Sequence, residues 1–282
     1  MGLAAESTDR DVQLSDRDFA RVARLVHELA GIVLADAKRP LVQSRLIKRL
    51  RALNLPDFGS YADYLATGEA EAERLELITA VTTNVTSFFR EQHHFDTLTT
   101  RALPPLMARA QAGGRVRLWS AGCSSGEEPY SIAATVLLAC PEAARLNIRI
   151  LATDIDRSMI ARTRQGLYPA ETVAALPREA GRVLFTDRPA ADMVQISAPV
   201  RQMITCNPLN LQDNWPFKGP FDVIFCRNVV IYFDKPTQER LWQRFAGILA
   251  PGGYLMIGHS ERVSGPALDQ FSVQGITTYQ RR

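Results

Sequence analysis

The chain has 282 residues, 46% of them hydrophobic and 22% charged, a make-up that suits two ordinary folded domains and excludes a disordered or fibrous protein. Its formal charge of +3 is too small to mark a nucleic-acid binder by balance alone, so any basic patch has to be argued locally. Four scattered cysteines (Cys123, Cys140, Cys206, Cys226), with no Cys-x-x-Cys pair and no His-x-x-x-His, argue against a disulfide framework and structural zinc, and no metal is expected.

No apolar run approaches bilayer length, and the N-terminus is acidic and mixed rather than basic and then apolar; the expected location is the cytoplasm, with no membrane insertion. Residues 1–13 are expected to be a flexible tail. Ser15 is placed to cap a helix whose face carries Phe19, Val22, Val26 and Leu29, and Gly31 is placed to end it. His27, beside that face, reads as structural. A second helix spans Lys38 to Leu53, with Val42, Leu46, Leu50 and Leu53 as its apolar stripe. Lys38, Arg45, Lys48 and Arg49 fall on another face, Arg39 and Arg51 add charge, and no acid lies between Lys38 and Arg51. An uncompensated basic face suits an acidic docking partner, a protein helix or a nucleic-acid backbone. Tyr61, Tyr64, Leu65, Leu75, Leu77, Ile78 and Val81 keep the helical spacing, so residues 14–81 read as a small all-α domain.

Residues 82–90 (Thr-Thr-Asn-Val-Thr-Ser-Phe-Phe-Arg) make a poor helix but carry two aromatics and an arginine. They read as an ordered linker anchored by Phe88 and Phe89, able to lend Asn84, Thr86 and Arg90 to a site. Residues 91–282 then read as one α/β domain, opening with a helix from about Glu91 to Ala110. Val116–Tyr130 is the central stretch: a β-favouring run breaks at Gly122 and Gly126, and two acids and a proline start a long helix. Such a turn sits at the carboxyl edge of a parallel sheet, where ligands bind. Its spacing is wrong for a dinucleotide loop, and Glu127 and Glu128 would repel a pyrophosphate. A cationic nucleoside such as S-adenosylmethionine fits better. A second strand, from Asn147, ends at Asp154 and Asp156. Asp154 holds the place of the acid that bonds ribose hydroxyls, while Asp156 is the better cap for the helix Ser158–Leu167.

The βα rhythm then lapses. An antiparallel insertion at about 170–206 is expected to contain strands at Leu184–Phe185, Met193–Ile196 and Val200–Cys206. Asn207–Leu211 reads as a loop at a strand end, followed by a strand Phe221–Cys226, a helix Pro236–Leu249, a strand Gly253–Gly258 and a closing edge strand Phe271–Gln280.

Five segments now converge: Asn-Val-Thr-Ser-Phe-Phe-Arg (84–90), Trp-Ser-Ala-Gly-Cys-Ser-Ser-Gly-Glu-Glu-Pro-Tyr-Ser (119–131), Ala-Thr-Asp-Ile-Asp (152–156), Phe-Cys-Arg-Asn-Val-Val-Ile-Tyr-Phe (225–233) and Gly-His-Ser-Glu (258–261). In order and content they resemble the chemotaxis receptor methyltransferases, the CheR family. The resemblance implies a Rossmann-like class I S-adenosylmethionine-dependent methyltransferase domain with a small antiparallel β insertion, preceded by an all-α receptor-docking domain. It also implies methyl esterification of glutamates in the cytoplasmic helices of methyl-accepting chemotaxis proteins, with S-adenosylhomocysteine as product, and no nucleic-acid partner. A monomer is expected.

By matching position, the resemblance implies cofactor contacts at Asn84, Thr86, Arg90, Glu128, Asp154, Asn210, Leu211, Arg227 and Asn228, with Glu128 preferred to its neighbour Glu127. Arg90 is assigned to orient a carboxylate, and Tyr232 to line the path of the methyl group. The basic face of Lys38, Arg45, Lys48 and Arg49 would then steer acidic receptor helices. The compact turn Thr186–Asp192 lacks a glycine-rich elongation, which points to an enzyme independent of a receptor tether peptide. Two rivals stand beside this reading. One is a cofactor-binding regulator without turnover; the other is a methyltransferase of another protein or of nucleic acid, for which Arg227-Asn228-Val229-Val230 lacks the expected Asn/Asp-Pro-Pro-aromatic turn.

Overall fold

The computed structural model describes residues 12–282, so the tail expected over 1–13 lies outside the described residues except for its last two positions. The chain divides between Thr82 and Thr83 into two compact units.

The first unit is all-α. Helix α1 (Asp16–Ala30) starts at Ser15, whose hydroxyl accepts from the Asp18 amide, and ends at left-handed Gly31. Helices α2 (Arg39–Leu53), α3 (Phe58–Leu65) and α4 (Glu71–Val81) pack Val22, Val26, Leu46, Leu50, Tyr61, Leu65 and Leu77 into its core. The basic face of α2 is compensated in part, by acids that are distant in sequence. Arg49 donates two hydrogen bonds to Glu73, at 2.9 and 2.6 Å, and lies 3.3 Å from Glu76. Buried Glu73 also accepts from the Tyr61 hydroxyl at 2.8 Å. Arg45 donates to the carbonyls of Ala80 and Thr82 at the end of α4, at 3.2 and 2.5 Å, which suits a cation at a helix C-terminus. Lys48 is exposed and Lys38 half-buried.

The second unit opens with α5 (His93–Thr97), a π-helical stretch (Leu98–Ala102) and α6 (Leu103–Gln111). The one helix expected over 91–110 is therefore divided. Pro104 and Pro105 have no amide to return to the preceding turn, and the Leu103 amide bonds five residues back, to Leu98. Strand β1 (Val116–Ala121) leads into α7 (Glu127–Ala139), and β2 (Ile148–Asp154) into α8 (Arg157–Gln165).

Next come β3 (Leu167–Pro169), α9 (Glu171–Ala174), α10 (Arg178–Leu184), β4 (Phe185–Ala190) and β5 (Met193–Ile196). Strands β3, β5 and β4 form a separate antiparallel sheet, which is the insertion. Val200–Cys206 does not belong to it. Pro199 starts a short helix, α11 (Ala198–Gln202), and β6 (Ile204–Pro208) joins β2 in parallel at the edge of the main sheet. The remaining elements are β7 (Phe221–Cys226), α12 (Lys235–Ile248), β8 (Leu249–Ile257), β9 (Phe271–Gly275) and β10 (Thr278–Arg281). The expected single closing strand is thus a hairpin, turned at Ile276–Thr277 with Thr277 at φ +46°.

The main sheet has the order β6-β2-β1-β7-β8-β10-β9, parallel from β6 to β8 and antiparallel beyond. The parallel order and the separate three-stranded sheet match the Rossmann-like domain with a small antiparallel insertion expected from the sequence. Side chains alternate between its faces: Leu118, Val223 and Phe225 enter one buried cluster with α5, α6 and α7, and Trp119, Ile224 and Cys226 enter the other with α12. The chain order reverses between β1 and β7, and a crevice at the carboxyl ends of those strands is the place for a ligand. No helix among the described residues is long and apolar enough to cross a membrane.

The Arg49–Glu73 pair makes the first unit testable. Arg49→Ala takes two donated hydrogen bonds from the buried Glu73 carboxylate and leaves it the Tyr61 hydroxyl, and is expected to cost about 1–3 kcal/mol in denaturant unfolding; unchanged stability would show that the pair contributes nothing.

Candidate active site

The turn after β1 is held from several sides. The amides of Gly122 and Cys123 both donate to the Thr153 carbonyl, at 2.8 and 2.9 Å, and Ser124 donates its amide to Asp154 Oδ2 at 2.8 Å. Gly122 has φ +84°, and a Cβ there would lie 2.3 Å from Val229 Cγ2. The turn after β1 and the loop after β7 can approach only because that residue has no side chain. Gly126, at φ +102°, is equally confined by Thr163 and the Tyr168 hydroxyl.

Asp154 ends β2 with 8% of its surface exposed. Its Oδ1 accepts from the Asp156 amide at 2.9 Å, so both oxygens bond backbone amides, and the carboxylate, with about four acceptor sites, keeps capacity beyond them. Burial pushes this carboxyl up to about 6, against the pull of the Asp156 and Ser124 amides. Asp156 caps α8 through the amides of Ser158 and Met159 and accepts from Asn84 Nδ2 at 2.7 Å. The capping role is therefore Asp156's, as its position after β2 suggests, and Asp154 faces the turn.

Glu128 and Arg227 are linked directly. Glu128 Oε1 accepts from Ser120 Oγ at 2.6 Å, and Arg227 Nη1 donates to Oε2 at 3.2 Å. Burial raises the Glu128 pKa, while Arg227 and Ser120 draw it down. Glu127 instead accepts from Ser125 Oγ at 2.7 Å, so Glu128 is the acid turned toward β7. Arg227 also donates to the Arg90 carbonyl and lies 3.5 Å from Glu91 Oε2.

Residues 84–90 lie along this edge. Ser124 Oγ donates to the Asn84 carbonyl at 2.8 Å, the Phe89 amide donates to Ser131 Oγ at 2.9 Å, and Phe88 sits 5.0 Å from Tyr168 and 5.7 Å from Phe185, edge to face. The Arg90 guanidinium donates to the Val85 carbonyl at 3.0 Å, which curls the segment on itself; Thr86 is half-buried. At the other side, the Leu209 amide donates to the Asp154 carbonyl at 2.9 Å. Asn210 Oδ1 accepts from the Gln212 amide at 3.0 Å, and Leu211 is buried in the core against α12.

The loop after β7 depends on a residue to which the sequence motifs assign no role. Glu261 Oε1 accepts from the amides of Val230 and Ile231, at 2.7 and 3.2 Å, and Oε2 from Asn228 and Gly258, at 3.1 and 2.6 Å. Asn228 is left-handed at φ +60°, and Tyr232, half-buried, ends the short 3₁₀ turn that follows. The Gly-His-Ser-Glu segment displayed this acid openly; only the fold reveals what it binds. The structure thus gathers Asn84, Arg90, Glu128, Asp154, Arg227 and Asn228 at one sheet edge, with 209–211 attached beside Asp154. Lys38, Arg45, Lys48 and Arg49 belong to the all-α unit.

Two family models match the chain: the CheR methyltransferase all-alpha domain over residues 17–82 and the CheR methyltransferase SAM binding domain over residues 84–280. Among curated relatives, a probable chemotaxis protein methyltransferase of Rhizobium etli is 49% identical over 91% of this chain and 96% of its own length. Chemotaxis protein methyltransferases of Klebsiella aerogenes and Escherichia coli are 41% and 39% identical, over 99% and 98% of this chain and 94% of theirs.

Glu261→Gln keeps the shape of the side chain but replaces one acceptor oxygen by an NH₂ group facing two amides. It is expected to destabilise the protein by about 2 kcal/mol or more in chemical denaturation; stability equal to the parent's would refute the role of this carboxylate in holding the loop.

Proposed function

Because this chain belongs to the CheR methyltransferase family and takes S-adenosylmethionine as its cofactor, we propose that it esterifies glutamate side chains in the cytoplasmic helices of chemoreceptors. The observation that carries the reading is the set of buried acids, Asp154 and Glu128 with its partner Arg227, at the switch point of the sheet. Carboxylates suit the ribose hydroxyls and the cationic groups of this ligand, and would repel the phosphates of a dinucleotide.

In this proposal Asp154 offers its remaining lone pairs to the ribose, Asn210 and Leu211 flank the adenine, and Glu128, Arg227 and Asn228 face the methionine end. Asn84, Thr86 and Arg90 cover the opposite side. When bound, S-adenosylmethionine supplies an electrophilic methyl group. An acceptor glutamate, with a reference pKa of about 4.3, is already ionised at pH 7, so no general base is required. What the protein must provide is alignment and exclusion of water. Arg90 orients a carboxylate, and Tyr232 lines the approach to the methyl group.

Receptor docking is assigned to the basic face of α2, where Lys48 is exposed while Arg45 and Arg49 are committed within their own unit. A cytoplasmic location goes with this proposal, since the substrate helices lie on the cytoplasmic side of chemoreceptors.

Incubation with methyl-labelled cofactor and receptor-containing membranes is expected to label receptors with groups that alkali releases as methanol. Alkali-stable label would refute the glutamate assignment, and absence of label would favour the non-catalytic regulator. In the same assay Lys48→Glu is expected to slow labelling most at low salt; an equal rate would remove Lys48 from the docking face.

Asp154 adds a pH signature. Its folded value of about 6 lies above the unfolded 3.8, so the group contributes stability fully present below about pH 4 and lost as pH rises through about 6. Binding runs the opposite way, because the protonated acid has lost acceptor capacity. Cofactor affinity measured by calorimetry is expected to fall as pH drops below about 6, and Asp154→Asn to be weaker and flat across that range; an unchanged profile would exclude the ribose role.

A further inference from the structure

Three of the four histidines, His93, His94 and His259, gather around one carboxylate, Glu91, beside the site just described. One ligand-capable atom from each of Glu91, His93 and His94 lies within 4.8 Å of the others. All three side chains carry a buried polar atom without a hydrogen-bond partner: Glu91 Oε2, His93 Nε2 and His94 Nδ1. Buried polar atoms are rarely left unsatisfied, and three in one place within four residues of chain call for a common partner. Glu91 Oε2 has ion-pair contacts but no hydrogen bond: it is 3.5 Å from Arg227 and 3.6 Å from His94 Nδ1.

We propose that Glu91, His93 and His94 form a binding site for a divalent transition metal, with Zn²⁺ as the representative ion. Two imidazoles and a carboxylate, with no thiolate among them, favour Zn²⁺, Co²⁺ or Ni²⁺ over the oxygen-seeking Mg²⁺ and Ca²⁺. Tetrahedral bonds of about 2.1 Å put ligand atoms roughly 3.4 Å apart, so shifts of about 1 Å in these side chains close the set. His94 Nε2 lies 3.0 Å from Thr277 Oγ1, a partner that orients the ring and leaves Nδ1 to the metal. Glu91 is held at φ +57°, a conformation that side chains other than glycine rarely adopt, and this turns its carboxylate back over the first turn of α5. Arg227 would oppose an incoming cation, but it stands between two carboxylates, Glu91 and Glu128. The expectation of no metal drawn from the sequence rested on the absence of zinc-finger spacings; Glu-x-His-His is not one of them and becomes a ligand set only through this backbone turn.

The test uses the full chain stripped with a chelator and titrated with Zn²⁺ against a chromogenic competitor. One equivalent is expected to bind, with His93→Ala and Glu91→Gln each weakening it by tenfold or more and exposed His27→Ala leaving it unchanged. Because His94 is fully buried, half-buried His93 is the principal variant, and circular dichroism verifies its fold. Co²⁺ in place of Zn²⁺ is expected to give visible d–d bands without thiolate charge transfer. Absence of stoichiometric binding, parental affinity in folded His93→Ala, or a thiolate band would each overturn the site.

Discussion

The candidate site depends on one buried cation. Arg227 leaves the end of β7 and meets Glu128 at the start of α7, the carbonyl of Arg90 at the end of the 84–90 segment, and Glu91 just beyond it. Three parts of the chain, far apart in sequence, are registered by one guanidinium. In energy such a buried pair roughly breaks even against a well-packed apolar alternative, since desolvation consumes most of the attraction. What it secures is geometry, because the planar fork satisfies its partners in few arrangements. Around it, Asp154 fixes the first turn through amides, and Glu261 fixes the last loop in the same way.

Much of this was legible in the residues. The strand–turn–helix at Val116–Tyr130, the acid at the end of β2 and the cap at Asp156 follow from local rules, since glycine positions, caps and alternation act over a few residues. The failures are equally physical. Val200–Cys206 has the β-branched, alternating look of an insertion strand, yet Pro199 starts a helix there and the next residues pair with β2, a choice made by the partner strand. The hairpin at Phe271–Arg281 hides because its turn residue, Thr277, carries no glycine or asparagine signal for a positive φ. The division of 91–110 follows from two prolines whose effect falls on the turn before them.

Charge was the least legible property. Along α2 no acid separates Lys38 from Arg51, but Glu73 and Glu76 reach Arg49 from α4, and carbonyl groups receive Arg45. Counting charges along one helix overstates the free positive surface, because packing supplies partners that sequence distance conceals. The reverse holds at Glu91, whose neighbours in sequence suggest an ordinary helix start and whose backbone turn gathers unsatisfied nitrogen atoms instead.

Glu261 has a consequence for the order in which the protein is made. It lies 30 residues beyond Ile231, past the whole of α12 and β8, yet it shapes the loop that carries Asn228 and Tyr232. A nascent chain that has emerged as far as Ile257 already contains the residues assigned to cofactor and acceptor, but not the carboxylate that folds their loop. Completion of the site is thereby tied to near-completion of synthesis, and partial translation products lack that loop's clasp.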